Sequence, residues 1–240
     1  MDDAGARFMA AFNEIENHIR HALAEDTHTE FSALARRYAE RKRLTREQRD
    51  ALSAFGALRN AIAHGRYFGG RPIADPVPEI VAQIEHLRDL LLRPPTAMSV
   101  VATQRVKVVR PADQLETALA IVREYDYSQL PVYGETYECL LTTNAVARWL
   151  AEQLTSNEGL AETTSVSHVL KFAERRDQAR LAPKTLSAGE AIELLERGEG
   201  RVDPIAALII THSGKAQERP LAVIVRDDLP ALYAALTTRP

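Results

Sequence analysis

The second half of the chain contains a succession of strand-like and helix-like segments that occurs twice. The first copy passes through "QRVKVVRP", "DQLETALAIVREY", "SQLPVY" and "YECLLTTNAVARWLAEQL". The second passes through "SAGEAIELLERG", "DPIAALIIT" and "RPLAVIVRDDLPALYAAL". Short apolar runs are typical of strands, and apolar residues three or four positions apart are typical of helices. The pattern predicts two β–α–β–β–α repeats at a period of roughly 75–85 residues. We expect them to pack as a pseudo-symmetric pair, because one copy alone would leave its sheet exposed.

The first 93 residues have only helical periodicity, which predicts an amphipathic helical bundle. Thr45 and Gln48 have the spacing of a capping box that would start the third helix, and Gly65 would end it. Asp113 with Glu116, and Ser187 with Glu190, show the same spacing in the two repeats. The four predicted buried faces consist of Phe8, Phe12, Ile15, Ile19 and Leu23; Phe31, Leu34, Ala35 and Tyr38; Leu52, Phe55, Leu58 and Ile62; and, after Pro78, Ile80, Ile84, Leu87 and Leu91.

Pro94 and Pro95 mark the change from one pattern to the other, because a double proline cannot continue a helix. The fold class predicted from these patterns is α plus α/β, an N-terminal all-α helical bundle followed by the pseudo-symmetric pair of β-α-β-β-α repeats. The predicted domains are 1–94 and 95–240, with repeat one at about 97–155 and repeat two at about 164–240.

The composition is that of a globular protein, with 45% hydrophobic residues and a net charge of -3 over 240 residues. Cys139 is the single cysteine, which excludes an intramolecular disulfide and favours a reducing compartment. The first residues lack a secretory signal, and no apolar run reaches the roughly 18 residues of a membrane span. We therefore expect a cytoplasmic protein with no membrane partner.

The two repeats resemble cystathionine-β-synthase-type (CBS) repeats, and together they resemble a CBS pair, or Bateman module. The resemblance implies that an adenosine nucleotide (AMP, ATP, NAD or a cyclic dinucleotide) binds between the repeats as a regulatory ligand. The family's ligand motif is a small residue, two apolar residues, Thr or Ser, two further residues, and an Asp that holds the ribose hydroxyls.

Each repeat matches this motif in part. The first copy, "CLLTTNA" over 139–145, has its threonine, but Ala145 stands in the Asp position. The second copy, "AVIVRDD" over 222–228, has Asp228, but Val225 stands in the Thr position. Asp228 has an alternative role as a cap of the last helix. The implied nucleotide-binding residues are Asp228, Thr142, Thr143, Asn144 and Val225, and the candidate phosphate-binding cations are Arg175, Arg176, Arg180, Lys184 and Arg201.

The third predicted helix ends in "ALRNAIAHG", in which Arg59 is followed by Asn60 and, four residues later, by His64. A helical bundle that ends in this motif resembles the HEPN superfamily, over roughly residues 6–93. Catalytic members of that superfamily are metal-independent ribonucleases that form their groove as dimers. The resemblance implies that Arg59, Asn60 and His64 are catalytic, that no cofactor or metal serves catalysis, and that the protein is a homodimer or a higher even oligomer.

The chemistry of RNA cleavage requires such residues. A histidine can take the proton of the attacking 2′-hydroxyl, and an arginine can hold the charge that develops on the phosphate. Arg59 and His64 are five residues apart, about 140° around a helix, so a partner helix could complete the site. Glu14 and Asn17 are possible supporting residues. In the alternative interpretation, His64 only complements the helix dipole and the bundle is catalytically silent.

The segment from Arg36 to Arg49 contains seven basic and two acidic residues and is a second candidate for RNA contact. The alternative is an ordinary solvated helix surface. The leading hypothesis is an endoribonuclease regulated by a nucleotide on the CBS pair, with single-stranded RNA as substrate and a toxin or defence role by family analogy. The alternative is a non-catalytic nucleotide sensor that uses its helical domain for dimerisation or docking. The predicted RNA contacts are Arg36, Arg37, Arg41, Lys42 and Arg43.

Overall fold

The structure, a computed structural model, describes residues 4–25, 28–64, 74–101, 106–155, 163–197 and 205–238. For His64 and Arg197 it describes only the backbone. The chain forms two compact units. A helical unit contains Met1–Pro95 together with Tyr233–Pro240, and an α/β unit contains Thr96–Leu232. No helix among the described ranges is long and apolar enough to cross a membrane.

The helical unit buries the predicted apolar faces of its helices. Phe8, Phe12, Leu34, Leu52 and Leu87 belong to one core, where each is at most 1% exposed. Leu23, Leu58, Ile62 and Ile80 are only partly buried and pack around that core. The four helices are α1 (Ala4–Leu23), α2 (Phe31–Lys42), α3 (Arg46–His64) and α4 (Pro78–Leu92).

The start of α3 confirms the first capping box. The backbone N–H of Gln48 donates to Oγ1 of Thr45 at 3.2 Å, and the N–H of Thr45 donates to Oε1 of Gln48 at 3.1 Å. These two bonds satisfy backbone donors that the first helical turn leaves without partners. Gly65, the predicted end of this helix, lies outside the described residues.

The C-terminal segment packs with the helical unit, although the repeat pattern places it in repeat two. Nε2 of Gln48 donates to the carbonyl oxygen of Leu236 at 3.2 Å. Oγ1 of Thr238 donates to Oε1 of Glu47 at 2.6 Å, and Nε2 of His86 lies 3.1 Å from the carbonyl oxygen of Thr237. Gln48 is only 4% exposed, and its side chain both caps α3 and hydrogen-bonds Leu236 of the C-terminal segment.

The α/β unit has the predicted repeat order. In the first repeat, Val109 forms a parallel bridge with Val132 of β1 (Gln129–Tyr133), and β1 pairs antiparallel with β2 (Tyr137–Thr142). In the second repeat, the strand β3 (Ala179–Pro183) takes the place of that bridge. It pairs parallel with β4 (Ala207–Thr211), which pairs antiparallel with β5 (Ala222–Val225). The helices of this unit are α5 (Ala97–Val100), α6 (Leu115–Tyr125), α7 (Thr143–Thr155), α8 (Val166–Val169), α9 (Ala188–Arg197) and α10 (Leu229–Ala234). The last two residues of α10 belong to the helical unit.

The two repeats share buried apolar contacts. Leu140 of β2 belongs to a core cluster with Ala207 and Ile209 of β4, and Val223 and Val225 of β5 pack against it. The predicted fold class, a helical bundle followed by paired β–α–β–β–α repeats, is therefore confirmed.

The two remaining capping boxes have opposite outcomes. Ser187 and Glu190 form theirs, because the N–H of Ser187 donates to Oε2 of Glu190 at 2.9 Å and the N–H of Glu190 donates to Oγ of Ser187 at 3.3 Å. The predicted box of Asp113 and Glu116 is wrong. Asp113 instead accepts a hydrogen bond from the N–H of Arg110 at 2.7 Å, which closes a turn before α6 begins at Leu115.

Candidate functional site

The α/β unit contains a cleft with a volume of about 810 Å³ between segments of both repeats. The first repeat contributes Ser128 and Gln129 at the start of β1, and Thr142 to Asn144 where β2 passes into α7. The second contributes the end of β5 and the turn that follows it. The connection between the repeats adds 174–177. Four of the five predicted nucleotide-binding residues line this cleft: Thr142, Thr143, Asn144 and Val225.

Three arginines line the cleft, and two of them have no acidic partner among the described residues. Nε of Arg176 is 2.9 Å from Oε2 of Glu174, so its charge is balanced by a neighbour. Arg175 and Arg226 are exposed at the cleft and form no salt bridge within the described part of the chain. Guanidinium groups in this position can bind the phosphates of a ligand in the cleft. Arg175 and Arg176 were among the candidates from sequence, Arg226 was not, and Arg201 lies outside the described residues.

Thr142 is part of a buried polar network and does not present a free hydroxyl to the cleft. Its Oγ1 donates to Oδ1 of Asp177 at 2.9 Å and accepts from the N–H of Ala145 at 3.1 Å. Asp177 is 4% exposed and also forms an ion pair with Arg148. Nε of Arg148 donates to the carbonyl oxygen of Phe172 at 2.8 Å. This network fixes the connection between the repeats against the start of α7, so Thr143 and Asn144 are the polar residues left to contact a ligand at this junction.

Asp228 lines a different, smaller cleft of about 230 Å³, and of the predicted nucleotide-binding residues only Val225 accompanies it there. Its Oδ2 accepts a hydrogen bond from the N–H of Val225 at 2.8 Å, at the turn that begins α10. In this bond Val225 occupies the N-cap position and Asp228 bonds back to it from three residues later, so Asp228 contributes to the helix start without being the N-cap of the alternative interpretation. Burial raises the pKa of its carboxyl group, and the bond from Val225 opposes that shift. The nucleotide set predicted from sequence is thus divided between two clefts.

The partial motifs of the two repeats correspond to the two halves of a capping box. In the first repeat, Thr142 accepts from the backbone of Ala145, three residues later. In the second, Asp228 accepts from the backbone of Val225, three residues earlier. A motif with Thr first and Asp fourth supplies both bonds at one helix start. Each repeat therefore keeps one of the two bonds, which explains how both helices form although neither motif is complete.

The helical unit contains a third cleft, of about 860 Å³, lined by Arg59 and Asn60 together with residues of α1 and α2. The guanidinium carbon of Arg59 lies 5.7 Å from the centre of the Phe12 ring, a cation–π distance. Nη1 of Arg59 donates to Oδ1 of Asn60 at 3.2 Å. Two of the three predicted catalytic residues are therefore in contact in one cleft.

The other members of the predicted catalytic set are placed differently. His64 is the last residue of α3, and its side chain lies outside the described residues. Oε2 of Glu14 is 3.6 Å from Nε of Arg88 on α4, and neither Glu14 nor Asn17 lines the cleft. The acidic residue of α1 that does line it is Glu16, which sequence reasoning missed; its position one helical turn after Phe12 was the available signal.

The five predicted RNA contacts do not form a single surface of unengaged cations. Arg36 lines the helical cleft. Arg37 is paired with Glu25, and Nη1 of Arg41 donates to the carbonyl oxygen of Ala22 at 3.1 Å. Lys42 ends α2 and Arg43 follows it in the left-handed conformation, with φ of 52°. Of the predicted contacts, Arg36 is the one that lies with Arg59 and Asn60.

Structural similarity extends to CBS-domain proteins. Hypoxic Response Protein I with two coordinated zinc ions is 18% identical over 56% of this chain and 96% of its own, with a TM-score of 0.39. CBSX2 in complex with AMP is 16% identical over 61% and 99%, with a TM-score of 0.39. The CBS domain of a bacterial CNNM/CorC family Mg2+ transporter in complex with ATP is 16% identical over 68% and 100%, with a TM-score of 0.42. No protein-family model and no curated protein sequence matches the chain.

Proposed function

We propose that this protein is a nucleotide-regulated endoribonuclease, in which a CBS pair binds an adenosine nucleotide and a HEPN-like helical unit cleaves single-stranded RNA. The cleft of about 810 Å³ in the α/β unit is the observation that carries the nucleotide part. The contact between Arg59 and Asn60 in the helical cleft favours the nuclease part. The proposed assembly is a homodimer in the cytoplasm.

The nucleotide site is proposed around Thr143, Asn144, Arg175 and Arg226. The hydroxyl and amide groups of the first two can hydrogen-bond a sugar or base, and the two arginines can bind phosphates. Thr142 has a supporting role, because its hydroxyl is engaged by Asp177 and Ala145. The cavity is within the usual size range of small-molecule sites.

Calorimetry with adenosine, AMP, ATP, NAD and a cyclic dinucleotide tests this site. The variant R175A/R226A should weaken ATP binding at least tenfold and adenosine binding little, because only ATP has phosphates to lose contact. The control R123A/R219A removes the same charge from exposed positions of the unit that do not line this cleft. Equal losses for ATP and adenosine, or unchanged ATP binding, would contradict the assignment.

The nuclease site is proposed around Arg59, Asn60 and His64. In the reaction, the 2′-oxygen attacks the adjacent phosphorus, His64 takes its proton, and the bond to the 5′-oxygen breaks. The products are a 2′,3′-cyclic phosphate and a 5′-hydroxyl end, and water supplies the proton to the leaving oxygen. Arg59 stabilises the charge on the phosphate, and Asn60 orients Arg59 through the 3.2 Å hydrogen bond.

Cleavage of an end-labelled single-stranded RNA tests this part. R59A and H64A should each lose at least 100-fold in rate, and R46A should not, because Arg46 lies on the same helix with a side chain 89% exposed. EDTA should have no effect. Nucleotide binding without any RNA cleavage would instead support the non-catalytic sensor, with the helical unit used for dimerisation or docking.

A further inference from the structure

The helical cleft extends along α3 well beyond Arg59 and Asn60. Arg49, Ser53, Gly56 and Asn60 are spaced by four, three and four residues, so they share one side of the helix, and all four line the cleft. Ten residues separate Arg49 from Arg59, which corresponds to about 15 Å along a helix axis. The cleft is therefore an elongated groove with an arginine towards each end.

The middle of this groove has a floor of small residues. Ser53, Gly56 and Ala57 line it between the two arginines. A Cβ atom added to Gly56 would lie 3.0 Å from Cδ1 of Phe31, so the close packing of Phe31 on α3 favours glycine at this position. Phe31 fills the space at Gly56, whereas the small side chains of Ser53 and Ala57 leave room for an extended polymer between the charged ends.

Four arginines line the groove against two glutamates, so its charge favours an anionic occupant; they are Arg20, Arg36, Arg49 and Arg59, with Glu16 and Glu30. Glu16 is balanced by Arg20, with Oε1 to Nη2 at 2.6 Å, and Arg20 also donates to the carbonyl oxygen of Thr29. Arg36 and Arg49 are exposed and form no salt bridge within the described ranges, although Nη1 of Arg49 donates to the carbonyl oxygen of Leu44 at 3.0 Å. Two cations on facing helices thus remain available at a distance from Arg59.

We infer that Arg36 and Arg49 bind phosphates of single-stranded RNA away from the bond that is cleaved, so the strand runs along α3 from Arg59 towards Arg49. This inference rests on the proposed nuclease function and assigns the path that the RNA strand takes along α3. Because the two arginines contact phosphates, they contribute affinity for any sequence and take no part in the chemical step.

The salt dependence of RNA binding tests the inference in the full-length protein. The association constant of a fluorescent single-stranded oligonucleotide is measured by anisotropy between about 50 and 200 mM salt. Each phosphate neutralised on a single strand contributes about 0.7 to the slope of log K against log salt, so R36A/R49A should reduce the slope by about 1.4. The control R123A/R219A removes the same charge from exposed residues that do not line the groove and should leave the slope unchanged. Thermal melting of both variants verifies that they fold.

Kinetics separate this role from catalysis. R36A/R49A should raise KM with kcat unchanged, whereas R59A should lower kcat. An unchanged slope and KM in R36A/R49A would overturn the inference while leaving a nuclease at Arg59 intact. If R36A/R49A reduces the salt dependence of RNA binding as expected but the wild type does not cleave RNA, the groove is an RNA-binding site and the nuclease proposal is rejected. Absence of RNA binding by the wild type would reject both.

Discussion

Substitution of Asp177 by alanine should destabilise the α/β unit by about 3 kcal/mol. The side chain of Asp177 is 2% exposed and accepts hydrogen bonds from Thr142 and from the backbone N–H of Glu174, at 2.9 and 2.8 Å. It also pairs with Arg148, whose side chain is 26% exposed.

The magnitude follows from the groups that the substitution leaves behind. A buried hydroxyl and a backbone N–H that lose their acceptor cost about 1 kcal/mol each. The partly exposed charge of Arg148 is still hydrated to some degree and costs about 1 kcal/mol more, well below the penalty for a fully buried ion. D177N keeps an oxygen that can accept from Thr142, so it should lose less than D177A.

Tryptophan fluorescence provides the assay. Trp149 is the single tryptophan of the chain, and it is 7% exposed in a core cluster of the α/β unit. Urea unfolding followed by its emission therefore reports the stability of the unit that contains Asp177. The control D227A removes an exposed acidic residue of the same unit. A loss below about 0.5 kcal/mol in D177A would show that these hydrogen bonds contribute little to stability, because surface substitutions produce changes of that size.

Three further predictions concern other parts of the molecule. Hydrogen bonds from Ser213 and Thr211 lower the pKa of the Glu218 carboxyl to about 2. Because the unfolded chain takes up the proton first, folding stability should fall as the pH drops from about 4.5 towards 2. Urea unfolding at several pH values can check this, and the fall should be smaller in E218Q. Burial lowers the pKa of His18, whose Nε2 lies 2.9 Å from Oη of Tyr38. Because the unfolded chain binds the proton more readily, folding stability should fall as the pH drops below about 6.5. Unfolding followed by circular dichroism should show a smaller dependence on pH in H18Q. Q48A should lower the thermal midpoint of the helical unit by several degrees, because it removes both a capping bond to Thr45 and the bond to Leu236. An unchanged midpoint would contradict the proposed anchoring of the C-terminal segment.

Sequence periodicity was sufficient for the elements whose apolar residues face one core. Phe8, Phe12, Ile15 and Ile19 are buried as predicted, and so are Ile84 and Leu87. The repeat order predicted a first strand in the second repeat, but the residues of β3 were not identified, because Arg180 and Pro183 interrupt its short apolar run and its ladder with β4 depends on residues about 28 positions away. Local patterns carry little information about such distant pairing.

Local polar motifs were less reliable, because an acidic side chain near a helix start has several possible partners. Glu190 met Ser187 as predicted, whereas Asp113 bonded the backbone of Arg110. The buried contacts of Asp177 with Arg148 and Thr142 join residues 29 and 35 positions apart, so no spacing rule could predict them. Arg59 and Asn60 were found through a motif, while the groove that continues towards Arg49 required the packing of α1, α2 and α3.

We propose that nucleotide binding at Arg175 and Arg226 regulates RNA cleavage at Arg59. The most direct test is the initial rate of cleavage of a labelled single-stranded RNA, measured with and without ATP, for the wild type and for R175A/R226A. We expect ATP to change the rate of the wild type at least fivefold and to leave the rate of the variant unchanged, because regulation requires differential binding to two states. Equal wild-type rates with and without saturating ATP, or no cleavage under either condition, would contradict it.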